Sequence, residues 1–411
     1  MTSPPAIAAQ RPLAVLNAFV MAYVILLPYQ FVVGREMNFA LADGLMMFAL
    51  LTAMGRLKYR SLVWSGWHYG IIATFALGSL VAVLRFGRLD RYELVNKDAG
   101  LMLPFLVYAA ITTAVTRWSD VRRILRAFVL TVAAQNIICV GGFLLAYFAG
   151  VEDPFARYGG LRLSGMLLDP NAYGGLLVAA FMVCEGASMG VDPLFGKGQL
   201  WLFRLSLAMG ILFTFSRSAW IALALSLLLL FVLHTGSALR LMLIVVAAVP
   251  CVVVLLGSRF LPIFEEMASR PKQVQGRFDL IHAALEQFAR HPLLGGGIGN
   301  FRLSEGEVAH NTAMWFLADF GIVGLVVLAG FLGWFFVRAW IAYRSAQPRQ
   351  QPLLLALLLA HTAMFGLSMG IEAFSQRHWW VILALIASSY RLTVLGRKAG
   401  PAIVPLPAAA A

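Results

Sequence analysis

Asn311 to Val337 reads NTAMWFLADFGIVGLVVLAGFLGWFFV, an apolar run with one charge, Asp319. A helix needs about 20 predominantly apolar residues to cross a bilayer. The apolar residues here are continuous and do not alternate, so the run reads as a spanning helix and not as a strand of a membrane barrel. Eleven further stretches of this kind lie near 12–33, 39–54, 68–84, 99–115, 127–149, 172–190, 199–215, 219–234, 239–257, 353–371 and 378–395. The second of them is short and contains Asp43. Composition points the same way. Of 411 residues, 61% are hydrophobic and 12% charged, and the mean hydropathy is +0.81, whereas a soluble domain is about 45–50% apolar and about 25% charged. The expected fold is an all-α polytopic membrane protein, a single membrane domain over residues 1–411 with about 12 transmembrane helices. A soluble enzyme, a disordered chain and a disulfide scaffold are excluded. Cys139, Cys184 and Cys251 fall inside apolar stretches and read as small core residues. The Ala/Pro stretch before Arg11 does not read as a cleavable signal, because the apolar run after it is too long and many more spans follow. From Gly400 the chain is rich in Pro and Ala, and 400–411 is expected to be a disordered tail.

The formal net charge is +13, from 32 basic and 19 acidic residues. In a soluble protein this would suggest nucleic acid. Here the charge divides by side of the membrane. With a cytoplasmic N-terminus, the loops on that side hold 16 basic residues against Asp120 and Asp192, and the other side holds 15 basic against 14 acidic residues. Lys and Arg in short loops mark the cytoplasmic side. Both termini are therefore expected there, and the basic excess faces anionic lipid, with no nucleic-acid partner.

Segment 258–310, between the ninth and tenth spans, is long, polar and expected to be external. Within Arg277–Arg290 the apolar residues Phe278, Ile281, Leu285 and Phe288 recur at helical spacing on one face, and Glu286 and Arg290 form an i,i+4 pair. The helix should stop at His291-Pro292, ahead of the glycine run Gly295–Gly299. An ordinary interfacial helix has the same pattern. The glycines are not a phosphate loop or a dinucleotide site, since no strand precedes them and no Gly-Lys-Ser/Thr follows.

Three elements on the external side can carry chemistry. Arg162, Arg217 and Arg277 lie beside spans, and arginine presents a planar fork of donors that stays charged and suits phosphate. Arg277 is expected to start a helix, where free N–H groups also favour an anion. Interfacial arginines that merely reach for lipid headgroups look the same. His310-Asn311 stands at the mouth of the tenth span, and histidine can accept a proton near neutral pH. His68 and His378 are read as interfacial histidines without a role. Asp169-Pro170-Asn171 opens the sixth span, and proline suits the first helical turn. There is no zinc pattern and no acidic cluster for a divalent metal.

Four ordered segments resemble the O-antigen ligase and O-antigen polymerase superfamily of bacterial inner-membrane glycosyltransferases. They are RLSGMLLDPN (Arg162–Asn171), TFSRSA (Thr214–Ala219), GRFDLIHAAL (Gly276–Leu285) running on to HPLLGGGIG (His291–Gly299), and HNTAM (His310–Met314) continuing to Gly321. The resemblance covers about residues 160–325, and one departure is Met314, where the family usually has Leu. It implies a donor glycan on undecaprenyl diphosphate, presented at the periplasmic face, and an acceptor that is lipid A-core in the ligases or a second lipid-linked glycan in the polymerases. It also implies roles. His310 would be the general base or would orient the acceptor. Arg217 and Arg277, with Arg162, would bind the diphosphate, and Asn311, Asn171 and Asp169 would support them. Such a displacement inverts the anomeric centre and requires no cofactor or metal if arginines supply the positive charge. Of the two branches the ligase is preferred. The chain is compact, and its dominant external loop is basic between Arg270 and Arg290, which suits an anionic lipid A-core.

A transporter or lipid flippase also has about twelve spans and places ionisable residues at midplane. The buried ionisable residues open to that role are Asp43, Glu185, Arg204 and Asp319.

Overall fold

The computed structural model describes residues 5–33, 37–53, 63–87, 89, 97, 100–157, 162–167, 169–256 and 271–395. The expected tail 400–411 and the start of the long loop lie outside these residues. The chain is an all-α polytopic membrane protein. Its helices are α1 (Pro5–Leu26), α2 (Leu41–Ala53), α3 (Gly66–Phe86), α4 (Gly100–Ala114), α5 (Trp118–Ala149), α6 (Pro170–Ser188) and α7 (Lys197–Phe213). They continue as α8 (Arg217–Leu233), α9 (Thr235–Leu256), α10 (Pro271–Arg290), α11 (Asn300–Glu305), α12 (Thr312–Ser345), α13 (Gln351–Ser368) and α14 (Arg377–Tyr390). Two small antiparallel hairpins pair β1 (Gln30–Val33) with β2 (Met37–Ala40) and β3 (Ala156–Arg157) with β4 (Arg162–Leu163). α3, α5, α12, α13 and α14 with its terminal π turn are long and apolar enough to cross a membrane, and α1, α4, α8 and α9 contain shorter apolar stretches.

The first span is shorter at its end than the sequence suggests. α1 stops at Leu26, and the chain turns through Pro28 into β1. Proline lacks an N–H and disfavours the helical region for the residue before it, so the apolar residues 30–33 continue as a strand. His68 and His378 lie in the first turns of α3 and α14. Both are buried, and the His68 ring lies among Trp64, Tyr108 and Phe331, with centroids 5.2, 4.9 and 5.2 Å away.

α13 is the central helix, buried on nearly all sides from Leu353 to Met364. It packs against α6 and α8 through glycines. A Cβ on Gly186 would lie 2.5 Å from the Ala356 Cα, and one on Gly366 would lie 2.7 Å from the Ala222 Cα. Without a hydrophobic drive between helices in lipid, such close backbone approach is what holds helices together.

The 34 residues of α12 would run about 50 Å at about 1.5 Å per residue, well beyond a hydrocarbon core of about 30 Å. The helix is broken at Gly321, where φ is 65° and ψ −162°. The segment after α10 fills the break. Gly296 and Gly297 donate their N–H groups to the carbonyls of Ala318 and Asp319, both at 2.9 Å, and Ile322 and Val323 donate to Pro292 and Leu293 at 2.9 and 3.3 Å. Interrupted helices are tolerated in a bilayer only where neighbouring backbone repairs the ladder. The glycines are what allow it: a Cβ on Gly295 would lie 2.4 Å from the Asp319 carbonyl carbon. The Asp319 carboxylate completes the join, accepting from the N–H of Gly299, the N–H of Phe301 and the Trp315 indole, each at 2.9 Å.

Candidate active site

The four sequence segments meet at one end of the helical bundle. Arg162 sits on β4, anchored where Ser164 N–H donates to the Phe155 carbonyl at 2.8 Å. Its Nε donates to the Thr214 carbonyl and its Nη2 to Asn171 Oδ1, both at 2.9 Å. Asn171 Oδ1 also accepts from Ser216 Oγ at 2.9 Å. Arg162, Asn171 and the Thr214–Ser216 turn are thus one hydrogen-bonded unit. Asp169 is the N-cap of α6 and accepts from Asn171 N–H at 3.0 Å and Ala172 N–H at 3.3 Å. An N-cap carboxylate next to the positive end of a helix dipole is well placed.

Arg217 is the first residue of α8, capped by Ser216, whose hydroxyl accepts from Ala219 N–H at 3.2 Å. Phe215 just before it has φ of 46°, an unusual conformation for a bulky residue and one that recurs at functional turns. Arg217 is therefore the arginine at a helix N-terminus. Arg277 is not. Pro271, suited to a first turn, starts α10, and Arg277 lies further along it, so the expectation that helix-end N–H groups stand beside Arg277 fails.

The face that α10 turns inward is not its apolar stripe. Phe278 is 55% and Leu285 42% exposed, while Ala284 and Gln287 are buried and Leu280 packs on the core. The apolar stripe faces away from the protein, as suits an element lying against lipid, and the face with Arg277, Leu280, Ala284 and Gln287 turns to the bundle. Gln287 accepts from Asn300 Nδ2 at 2.7 Å and donates to Glu305 Oε1 at 3.0 Å, which ties α10 to α11. The expected Glu286–Arg290 pair is present at 3.8 Å on exposed side chains and adds little. Arg277 is half-buried beside Arg217 and Asp169. Burial, then the Arg217 charge, pulls its guanidinium below the ordinary arginine range, and Asp169 opposes both. Two like charges that feel one another make this a candidate anion site.

His310 has φ of 48° and is held by the residues around it. Ala309 N–H donates to Glu372 Oε1 at 3.0 Å. Asn311 caps α12, accepting from Ala313 and Met314 N–H at 2.9 and 3.1 Å, and its Nδ2 donates to the Met369 carbonyl at 3.0 Å. Thr312 Oγ1 donates to the Ile371 carbonyl and accepts from Ala373 N–H, both at 2.9 Å. The 369–373 connection in turn packs on the Arg217 turn, since a Cβ on Gly370 would lie 2.1 Å from Ser218 Oγ. The histidine turn and the arginine turn are neighbours through this connection. Glu372 is paired with Lys97, whose Nζ stands 3.8 Å from the centre of the Trp315 ring. Sequence reasoning missed Glu372 and Lys97. They are 275 positions apart, and no local spacing links them.

The buried carboxylates Asp43 and Glu185 are each paired with an arginine. Arg377 donates to both Asp43 oxygens, at 2.7 and 2.6 Å, and Ala40 N–H adds a third bond at 3.0 Å. Arg204 grips Glu185 with two donors, the longer at 2.7 Å.

No curated protein matches the chain. Residues 202–329 match the family model described as O-antigen ligase. The matched stretch runs from α7 through Arg217, Arg277 and His310 into α12, and Arg162, Asp169 and Asn171 join it through the contacts above. Over this stretch the chain is similar to the O-antigen ligase family.

Proposed function

We propose that the protein transfers a glycan from undecaprenyl diphosphate to lipid A-core at the periplasmic face of the bacterial inner membrane, as an O-antigen ligase. The match of residues 202–329 to the O-antigen ligase model supports a lipopolysaccharide-related ligase or polymerase role. The observation that carries the finer reading is the gathering of Arg217, the N-terminal residue of α8, and Arg277 on the inward face of α10, each within electrostatic reach of the other and of Asp169. A diphosphate would relieve that repulsion, and the relief grows as negative charge collects on the leaving group, so the clamp acts most strongly in the transition state. Arg162 holds the Arg217 turn in place through Thr214 and Asn171.

In the reaction, an acceptor hydroxyl oxygen attacks the anomeric carbon, the bond from that carbon to the diphosphate oxygen breaks, and the hydroxyl proton passes to His310. The diphosphate lipid departs with its charge against the arginines. Attack opposite the leaving group inverts the anomeric centre. Both chain termini are cytoplasmic in this reading, and segment 258–310 is periplasmic.

The ligase reading is favoured over the transporter alternative, because Asp43, Glu185 and Arg204 are engaged in ion pairs and Asp319 in backbone bonds. The test is transfer by purified protein in detergent, without a membrane gradient, from a lipid-linked glycan to lipid A-core. Product on lipid A-core supports the ligase. Chain extension of the lipid-linked glycan alone makes the protein a polymerase with the same site.

A further inference from the structure

At the end of the bundle away from the active site, a cavity of about 1170 Å³ opens between α7 and α9. Its walls are apolar, from Leu200 and Leu205 on one side and Leu243, Ile244 and Ala247 on the other. Its rim is basic. Lys197 begins α7 and Arg240 lies near the start of α9. Both are exposed, and neither has an acidic partner among the described residues. Arg240 is steadied on its own helix by the Gly236 carbonyl at 3.2 Å and Ser237 Oγ at 3.1 Å. Deeper in the cavity, Arg204 is neutralised by Glu185, so the uncompensated charge is confined to the rim. The roof is fixed: Arg122 donates to the Asp192 carbonyl, the Asp192 carboxylate and the Pro193 carbonyl at 2.8, 3.0 and 2.7 Å. Trp201, 58% exposed beside the opening, is the residue type that sits at the headgroup level of a bilayer.

We propose that this cavity binds one anionic phospholipid, with the phosphate between Lys197 and Arg240 and the acyl chains lying between α7 and α9. An apolar cleft with two cations at one end matches a molecule with a negative head and a long apolar body. The volume exceeds the roughly 300–1,000 Å³ of small-molecule sites, which leaves space for chains as well as a headgroup. Basic pockets between helices, on the side where Lys and Arg concentrate, are where acidic lipid headgroups dock. A free phosphate would leave the cleft empty.

The test is native mass spectrometry of the full-length protein in mild detergent, titrated with phosphatidylglycerol or phosphatidylcholine. The wild type should retain one phosphatidylglycerol in preference to phosphatidylcholine. Removing both rim charges, Lys197→Gln with Arg240→Gln, should weaken that retention about thirtyfold. Ala247→Trp, which fills the cleft and leaves the charges in place, should abolish it. Equal retention of the two lipids, retention unchanged in either variant, or a polyprenyl phosphate carried in place of the phospholipid would overturn the assignment. Neither variant touches the active-site end, so a fold check by transfer activity is independent of the lipid readout.

Discussion

The backbone N–H of Ala309 donates to Glu372 Oε1 at 3.0 Å, one residue before His310 adopts its positive φ of 48°. The other oxygen of Glu372 holds Lys97, and both side chains of that pair are only 11% exposed. Glu372→Gln keeps a carbonyl for Ala309 but strands the Lys97 ammonium, and removing one partner of a buried pair costs about 3–5 kcal/mol. Turnover should fall more than about tenfold with little change in the KM for donor, because the proposed diphosphate clamp, Arg217 and Arg277, sits on α8 and α10. Steady-state kinetics with a lipid-linked donor checks this. A raised donor KM at unchanged kcat would move Glu372 into donor binding.

His310→Ala should lower transfer by about 10²–10⁴, the usual worth of general base catalysis. The half-buried side chain adds little to packing, so the protein should still reach the membrane and purify as a folded species. Product formation normalised to purified protein measures the effect, and near-normal activity would remove the histidine from the reaction.

Arg217→Ala and Arg277→Ala should each cripple transfer, and lysine at either position should restore only part of it, since a point charge lacks the bidentate fork. Donor-dependence curves for the four variants provide the comparison. Full rescue by lysine at both positions would mean generic headgroup contacts.

Gly321→Ala places a Cβ 2.4 Å from the Leu293 carbonyl oxygen at a φ of 65°. A backbone in this region is nearly restricted to glycine and costs about 1–3 kcal/mol for other residues. A lower melting temperature by fluorescence-detected size exclusion is the expected outcome, with activity lost in proportion.

Cysteines introduced one at a time as Ala289→Cys and Ser119→Cys, both exposed positions, in a chain freed of Cys139, Cys184 and Cys251, should differ in intact cells whose outer membrane admits the reagent. Ala289→Cys should react with an impermeant maleimide and Ser119→Cys should not. The reverse pattern would invert the topology.

Much of the candidate site's local structure was legible because its signals are local. A proline at the start of α6, an arginine in a three-residue connection and a His-Asn pair ahead of a long apolar run each sit within a few positions of the helix end they decorate. Other features were hidden for physical reasons. Periodicity marked α10 as a helix, but it does not tell which solvent takes the greasy face. Here Phe278 and Leu285 point outward and Arg277 inward, the opposite of a soluble helix. Asp319 stood out as a charge in an apolar run, yet its role depends on the N–H groups of Gly299 and Phe301 on a separate segment. The Lys97–Glu372 pair joins segments from opposite ends of the chain.

The glycine segment repairing the break in α12 also constrains how substrates come and go. Swinging it aside would strip partners from Gly296, Gly297, Ile322 and Val323 together, at about 1–3 kcal/mol for each buried group left unpaired. It is a fixed wall and not a gate. The two lipid substrates of the proposed reaction would enter and leave past some other boundary of the site, and a cross-link tying Pro292–Gly297 to α12 should leave turnover intact.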